Sequence, residues 1–506
     1  MTTRKLLALL ISCLLLTGCA ADITSNTPQV TLPPIIYEED APAGDLQGNI
    51  SRRQVFYLLT SDTGDLTPTE ENIRVHPFRW YLDVLTETLL SMETADLISL
   101  PGYGRITLTG SNPVEVSCGI ATVNLAASAL SLDHESLYTV CQAITNTLCE
   151  NTSVEGVNIL IGSVQPGLDI GSTTPAGTLT ANKSENLASM WSRAESRRSA
   201  VQESRRFTCD ATLYLPTINS QGILAEKRTL TFDDPSLEAI CATLITALTQ
   251  DTALQSALPL PDMDQFLNGR PVLSESGGEK IITISLLSGI HEALDEMGIP
   301  LNLFAASLVY TLTTFTPGLT GIRIDIGGVP VTSLPLRETD PDERIEFQNG
   351  LLRRTSFSRF LYDEITLYMD EGDTLAPVRR PVPWYESRNP RYAFNELVLG
   401  SLPGDSRYPL GDPLPQNSSG GDLIGLGVSA DGTALKLDLS GHFIDLTKAE
   451  SIQRQSMIIF SVINSLIDTT GIRKVVIFTD GAQDETLTAL DLRGTFLKNE
   501  DILTQP

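Results

Sequence analysis

One order of signals occurs three times along the chain, and this recurrence restricts the fold more than any bulk property. Leu137 to Leu148 has the apolar spacing of a helix and is followed by the β-branched run Val154 to Gly162. Leu303 to Phe315 is followed in the same way by Leu319 to Gly328, and Ser451 to Ile467 by Gly471 to Gly481. Each reads as a helix of several turns, a short turn and a strand that ends at glycine. Leu148, Leu312 and Leu466 hold matching places and stand 164 and 154 residues apart. That spacing lies far beyond solenoid periods, so the chain reads as whole units in tandem.

Upstream of each long helix lies a strand with alternating character: Ala121 to Ala126, Ile281 to Leu286 and Ala434 to Ser440. A period of two suits a strand with one buried face. Asp431-Gly432, between two such strands, signals a hairpin turn. Each unit opens with a further strand (Val55 to Leu59, Ala211 to Leu215, Glu364 to Met369) and a first helix (Trp80 to Met92, Leu237 to Leu248, Tyr392 to Leu402). The expected class is α+β: three tandem small domains, each a mostly antiparallel sheet with two helices on one face. Boundaries fall at 51–176, 207–335 and 361–495. Between them, 177–206 and 336–360 read as charged, solvated linkers, and 496–506 as a C-terminal tail.

In the third unit, Tyr392-Ala393-Phe394-Asn395-Glu396-Leu397-Val398-Leu399-Gly400, Lys436-Leu437-Asp438-Leu439-Ser440-Gly441-His442-Phe443 and Val475-Val476-Ile477-Phe478-Thr479-Asp480-Gly481 resemble the motifs of the GerMN domain of sporulation and spore-germination lipoproteins. Tyr310-Thr311-Leu312-Thr313-Thr314-Phe315 resembles the same family's helix end in the second unit; the first unit is the most divergent. The resemblance implies a ring-building-motif-like fold and a non-enzymatic extracytoplasmic module. It further implies association with other envelope or sporulation proteins, self-association included.

The N-terminus carries its own signal. Arg4 and Lys5 precede an apolar run from Leu6 to Leu16, too short for a spanning helix of roughly 20 residues. Leu16-Thr17-Gly18-Cys19 then looks like a bacterial lipobox, with small Gly18 at the cleavage site and the Cys19 thiol as acceptor of a diacylglyceryl group. Residues 1–18 are therefore expected to leave as a signal peptide, with lipid on Cys19 holding the protein at the outer face of the cell membrane. Residues 19–50, with Leu32-Pro33-Pro34 and Glu38-Glu39-Asp40, read as a disordered tether.

A net charge of -27, spread along the chain, would repel phosphate backbones and argues against nucleic acid as a partner. Beyond Cys13 and Cys19, five cysteines remain: Cys118, Cys141, Cys149, Cys209 and Cys241. An odd number cannot all pair within one chain. Buried thiols are favoured over the alternative of one bridge per domain, Cys118 with Cys141 or Cys149 and Cys209 with Cys241.

No nucleophile elbow, Walker loop or dinucleotide fingerprint occurs. His76, His134, His291 and His442 fall at unrelated places in the three units, so neither a triad nor a zinc site is expected, and no metal or cofactor is implied. Trp384-Tyr385 is the one exposed-looking aromatic pair. A scaffold without catalysis is the leading reading, and a lipoprotein capturing a wall fragment or solute the second. A hydrolase comes third. Separate small domains without a deep pocket would favour the first reading; a cleft shared between domains and lined by Trp384, Tyr385 and carboxylates would favour the second.

Overall fold

Each unit opens with an antiparallel hairpin where the sequence suggests a single strand. The computed structural model describes residues 40–504 except 61–63, 94–96, 168–174, 184–185, 338–339, 404, 406–408 and 484–486. In the first unit β1 (Ile50–Thr60) pairs along its length with β2 (Leu66–Val75). Then come α1 (Leu82–Ser91), the two-residue β3 (Leu97–Ile98), the hairpin of β4 (Val114–Ser117) and β5 (Ile120–Leu125), α2 (His134–Asn151) and β6 (Gly156–Ile161). After α3 (Leu187–Ser204) the order restarts with β7 (Phe207–Pro216), β8 (Ile223–Phe232), α4 (Leu237–Leu248), β9 (Val272–Ser276) and β10 (Glu279–Leu286). The second unit continues through α5 (Ile290–Met297), α6 (Leu301–Phe315), β11 (Leu319–Ile326), β12 (Val329–Pro330), β13 (Ser333–Arg337) and β14 (Asp340–Glu346). The third has β15 (Tyr362–Asp370), β16 (Leu375–Pro383), α7 (Pro390–Val398), β17 (Leu423–Val428) and β18 (Ala434–Leu439). It ends with α8 (Gly441–Lys448), α9 (Ile452–Thr470), β19 (Lys474–Thr479) and β20 (Thr495–Phe496).

The architecture is α+β with several small sheets. Each opening hairpin stands apart from a second sheet built around a parallel pair, β5 with β6, β10 with β11 and β18 with β19. One mostly antiparallel sheet per unit is therefore corrected to two, and the second unit adds a third, the β13–β14 hairpin. A parallel pair needs a long crossover, which the long helix supplies. Local chemistry ends these helices where expected: Asp133 accepts from Ser136 N at the start of α2, Ser451 from Arg454 N at the start of α9. Gly471, at φ 70°, closes α9 in the left-handed conformation that glycine favours.

The hairpin partners are hard to read because they do not alternate cleanly. β2 is largely exposed and polar, and β16 carries Pro377, Pro381 and Pro383. Proline is tolerated there because each strand lies at the edge of its sheet.

One hydrogen bond ties hairpin to long helix in all three units. The backbone N–H of Tyr57, Tyr214 and Tyr368 donates to Thr147, Thr311 and Ser465 at 3.1, 2.9 and 3.1 Å. Each acceptor directly precedes the matching leucine, Leu148, Leu312 or Leu466.

The units are not separate bodies. One continuous apolar core runs through the first and second units, and a second core fills the third. Phe78 of the first unit is buried in the third unit's core, while Trp384 of the third packs into the shared core of the other two.

Both supposed linkers are built in. Residues 187–204 form α3, whose Met190 and Val201 are buried and whose Trp191 meets Tyr138 of α2 at 5.6 Å between ring centroids. Residues 336–360 hold most of the β13–β14 hairpin and bury Leu352 and Phe357 completely. Their charge is real, but sparse apolar residues suffice to dock a segment whose neighbours are already in place. The tail also packs: Leu503 bridges Leu375, and Asn499 N donates to Asn464 Oδ1 at 3.0 Å.

The tether expected to end at residue 50 meets the body about ten residues earlier. Leu46 N donates to Leu426 O at 2.8 Å, and Arg391 Nη2 holds Asp45 Oδ1 at 2.6 Å. Gly425 in β17 makes room, since a side chain there would strike the Pro42 carbonyl.

Candidate functional site

A cleft of about 960 Å³ lies between the first and third units. Its walls come from β1, from the C-terminal ends of α2 and α9, from β15 and from the turn before α7. Asn151, last residue of α2, grips β1 from both sides: Val55 N donates to its Oδ1 at 2.8 Å, and its Nδ2 donates to Val55 O at 2.7 Å. That grip sets the end of α2 beside Arg52 and Arg53. Across the junction, the tight β4–β5 turn puts Cys118 at φ 46° and aims its N–H at Asp363 Oδ1, 2.7 Å away.

Trp80 and Ser387 make the second tie between units. Trp80 Nε1 donates to Ser387 Oγ at 2.7 Å, and Ser387 Oγ donates to Trp384 O at 2.8 Å. Arg388 stacks over Trp80 and Tyr81, 5.0 and 5.2 Å from the ring centroids. It also donates to Thr470 O at 3.1 Å, placing a cation at the negative end of α9. Burial raises the Asp363 carboxyl above its ordinary range, against the hydrogen bonds from Cys118 N and Glu364 N.

The cleft is amphoteric. Arg52, Arg53, Arg379 and Arg388 share it with Glu150, Glu155, Asp363, Glu364 and Asp468. Arg379 pairs with Glu364 at 3.3 Å and Arg53 pairs with Glu70. The Arg52 and Glu155 side chains make no ion pair or hydrogen bond among the described residues. Beside this cleft, a hollow of about 330 Å³ is lined by Arg79, Trp80, Trp384, Tyr385, Glu386 and Asn389. Trp80 lines both.

The residues singled out in the sequence meet different fates. Leu16, Thr17, Gly18 and Cys19 lie outside the described residues. The Trp384-Tyr385 pair splits: Trp384 is buried, while Tyr385 is 55% exposed. All five remaining cysteines are free thiols, so the bridged alternative is not formed. Burial pushes the Cys141 and Cys241 thiols up to about 12, which keeps them protonated.

The four histidines stay apart in different elements, but His442 has a partner that the sequence did not suggest. Its Nδ1 lies 3.1 Å from Asp422 Oδ1, and Ser440 Oγ donates to that same oxygen at 2.6 Å. Serine, histidine and aspartate thus meet, though not as a nucleophile site. Ser440 spends its hydroxyl on Asp422 and accepts from Phe443 N as the cap of α8. Burial would raise the Asp422 pKa; the bonds from Ser440, Ser419 and His442 outweigh it and lower it.

No group of three or more His, Cys, Asp or Glu that could hold a metal occurs among the described residues. No single described helix is long and apolar enough to cross a membrane; the α5–α6 pair passes that test jointly, but is bent by 100°.

No family model matches the chain, and no curated protein matches it. Among solved structures it is similar to the tandem GerMN domains of the sporulation protein GerM from Bacillus subtilis, at 15% identity and a TM-score of 0.22, covering 60% of this chain and 99% of that one. It is also similar to a Clostridium perfringens protein described as a lipoprotein, at 17% identity and a TM-score of 0.18, covering 28% and 90%. Overlaps this slight leave the fold to be read from the chain's own elements.

Proposed function

We propose that this protein is a lipid-anchored extracytoplasmic lipoprotein made of three GerMN-like units and acting through association rather than catalysis. Sporulation, germination and envelope assembly are the settings in which it would serve. The observation that carries this reading is how the units mate within the chain. The second unit's opening hairpin covers the first unit's sheet face through polar side chains: Tyr214 with Thr122 at 3.2 Å, and Thr212 with Asn158 and Thr178 at 3.0 and 2.8 Å. A plan whose sheet face already receives a neighbouring unit is suited to receiving further ones.

Cross-linking in native membranes, followed by recovery of the lipidated protein, tests it. Envelope or sporulation proteins, or further copies of this chain, should be recovered with it; recovering the monomer alone would overturn association. Cys19→Ala should leave an unprocessed precursor, and a mature membrane-bound form of that variant would overturn anchoring.

A second reading, capture of a wall fragment, is favoured by the cleft between the first and third units. Sites for small ligands are commonly preformed at such junctions. Its test is retention of soluble wall digest by the purified protein on beads; no retained fragment of any kind would end this reading.

A further inference from the structure

The two hollows that share Trp80 differ in chemistry. The smaller offers aromatic surface, half-exposed Tyr385 beside Trp80 and Trp384, with Arg79, Glu386 and Asn389 at its rim. Aromatic faces backed by a few polar groups suit the C–H face of a sugar ring. The larger offers charges of both signs. In it, Arg52 and Glu155 are one cation and one anion without partners among the described residues. A ligand that satisfies both carries an anionic and a cationic group, as a molecule with a carboxylate and an ammonium does.

The junction is also fixed in advance. Phe78 and Trp384 are exchanged between the two cores, and Trp80–Ser387 and Cys118–Asp363 pin the cleft walls. A site held by its own scaffold loses little ordering entropy on binding.

We propose that this junction is a binding site for a wall glycopeptide: the amino sugar lies against Tyr385 and Trp80, and its amphoteric peptide enters the charged cleft. The carboxylates of the peptide meet Arg52, and its side-chain amine meets Glu155 at the end where α2 closes. The helix C-terminus there adds partial negative charge that favours an ammonium. This inference rests on the wall-fragment reading and names its ligand and its residues.

The test is calorimetric titration of the full-length protein, purified in detergent, with three probes. They are the N-acetylglucosaminyl-N-acetylmuramyl tetrapeptide containing a diamino acid, its free tetrapeptide and its free disaccharide. The glycopeptide should bind more tightly than either half. Tyr385→Ala should weaken the glycopeptide and the disaccharide by about three- to tenfold and leave the free peptide unchanged. Arg52→Glu should weaken the glycopeptide and the free peptide by roughly tenfold or more and spare the disaccharide. Both side chains are partly solvent-exposed, and unchanged melting curves would show that both variants fold. A glycopeptide that binds no better than one of its halves would overturn the proposal, as would affinities indifferent to both substitutions. If beads carrying wild-type protein and beads carrying either variant retain wall digest equally, capture stands and this site falls. If wild type retains nothing, the underlying reading falls with it.

Discussion

The outer units and the middle unit use one structural position in opposite ways. Three residues beyond the hydroxyl that receives the tyrosine N–H, the outer helices carry Glu150 and Asp468. Tyr57 OH reaches Glu150 at 3.4 Å and Tyr368 OH reaches Asp468 at 2.7 Å; a lysine, Lys183 or Lys498, pairs with each acid. One residue before the hydroxyl, Asn146 and Asn464 each clamp the strand-following backbone through two bonds, to Asn182 and Asn499.

In the middle helix those places hold Thr314 and Tyr310. Arg354 fills the space instead, 3.8 Å over the Tyr310 ring, donating to Thr314 Oγ1 at 2.6 Å and to Glu115 Oε2 at 2.8 Å. Glu115 belongs to β4 of the first unit. The same corner is partly exposed in the first and third units and sealed in the second, because there a neighbouring unit lies over it and supplies the counter-charge. Side-chain exposure follows: 45% and 33% for Lys183–Glu150, 28% and 25% for Lys498–Asp468, 9% and 9% for Arg354–Glu115.

The largest effect expected from breaking this contrast is at Arg354. Arg354→Leu leaves Glu115 buried without its cation and should cost about 3–5 kcal/mol, read from the midpoint of chemical denaturation. Adding Glu115→Gln should recover much of that loss. A single-variant cost no greater than that of Lys498→Ala would erase the distinction between the second unit and the other two.

Next come the three shared hydroxyls. Thr147→Val, Thr311→Val and Ser465→Ala each leave a buried tyrosine N–H without its acceptor, at about 1–3 kcal/mol. Similar costs would sharpen the equivalence of the units; a cost confined to one would break it.

Lys498→Ala should cost only about 0.2–1 kcal/mol, since its pair is partly exposed. Tyr368 offers a further readout there: burial first, then its hydrogen bond to Asp468, pushes its pKa from 10.0 to about 12. A phenol with a raised folded value contributes stability that is complete below pH 10 and declines as pH climbs from 10 to 12. Phenolate absorbance should show that late midpoint, and Asp468→Asn should bring it down. Lys183→Ala, at the most exposed of the three pairs, should have the smallest effect, below about 0.5 kcal/mol.

Much of each unit is legible in the linear pattern. The periodic helices ending near Leu148, Leu312 and Leu466, and the strands that follow them, form where the spacing puts them, because burial on one face imposes period on sequence. β2 and β16 escape that logic: as edge strands they bury little and tolerate proline. Residues 187–204 and 336–360 escape for a related reason. Their charges dominate the local composition, while a few side chains such as Met190, Leu352 and Phe357 decide where they lie. The cleft leaves no local signal at all. Arg52, Trp80, Glu155 and Arg388 are unremarkable in sequence and share a site only after two units meet.

From the sequence alone come the acidic character, the α+β class and the threefold order of elements, together with the expectation of a lipobox ending at Cys19. These rest on local chemistry and on periodicity, which a chain displays before it folds. Tertiary structure alone decided that the units share cores, that Phe78 and Trp384 change places, that Arg354 finds Glu115 and that a charged cleft opens beside an aromatic hollow. Those outcomes depend on which faces cover one another. Residues hundreds of positions apart acquire their partners, their dryness and their charge environment only when the faces close.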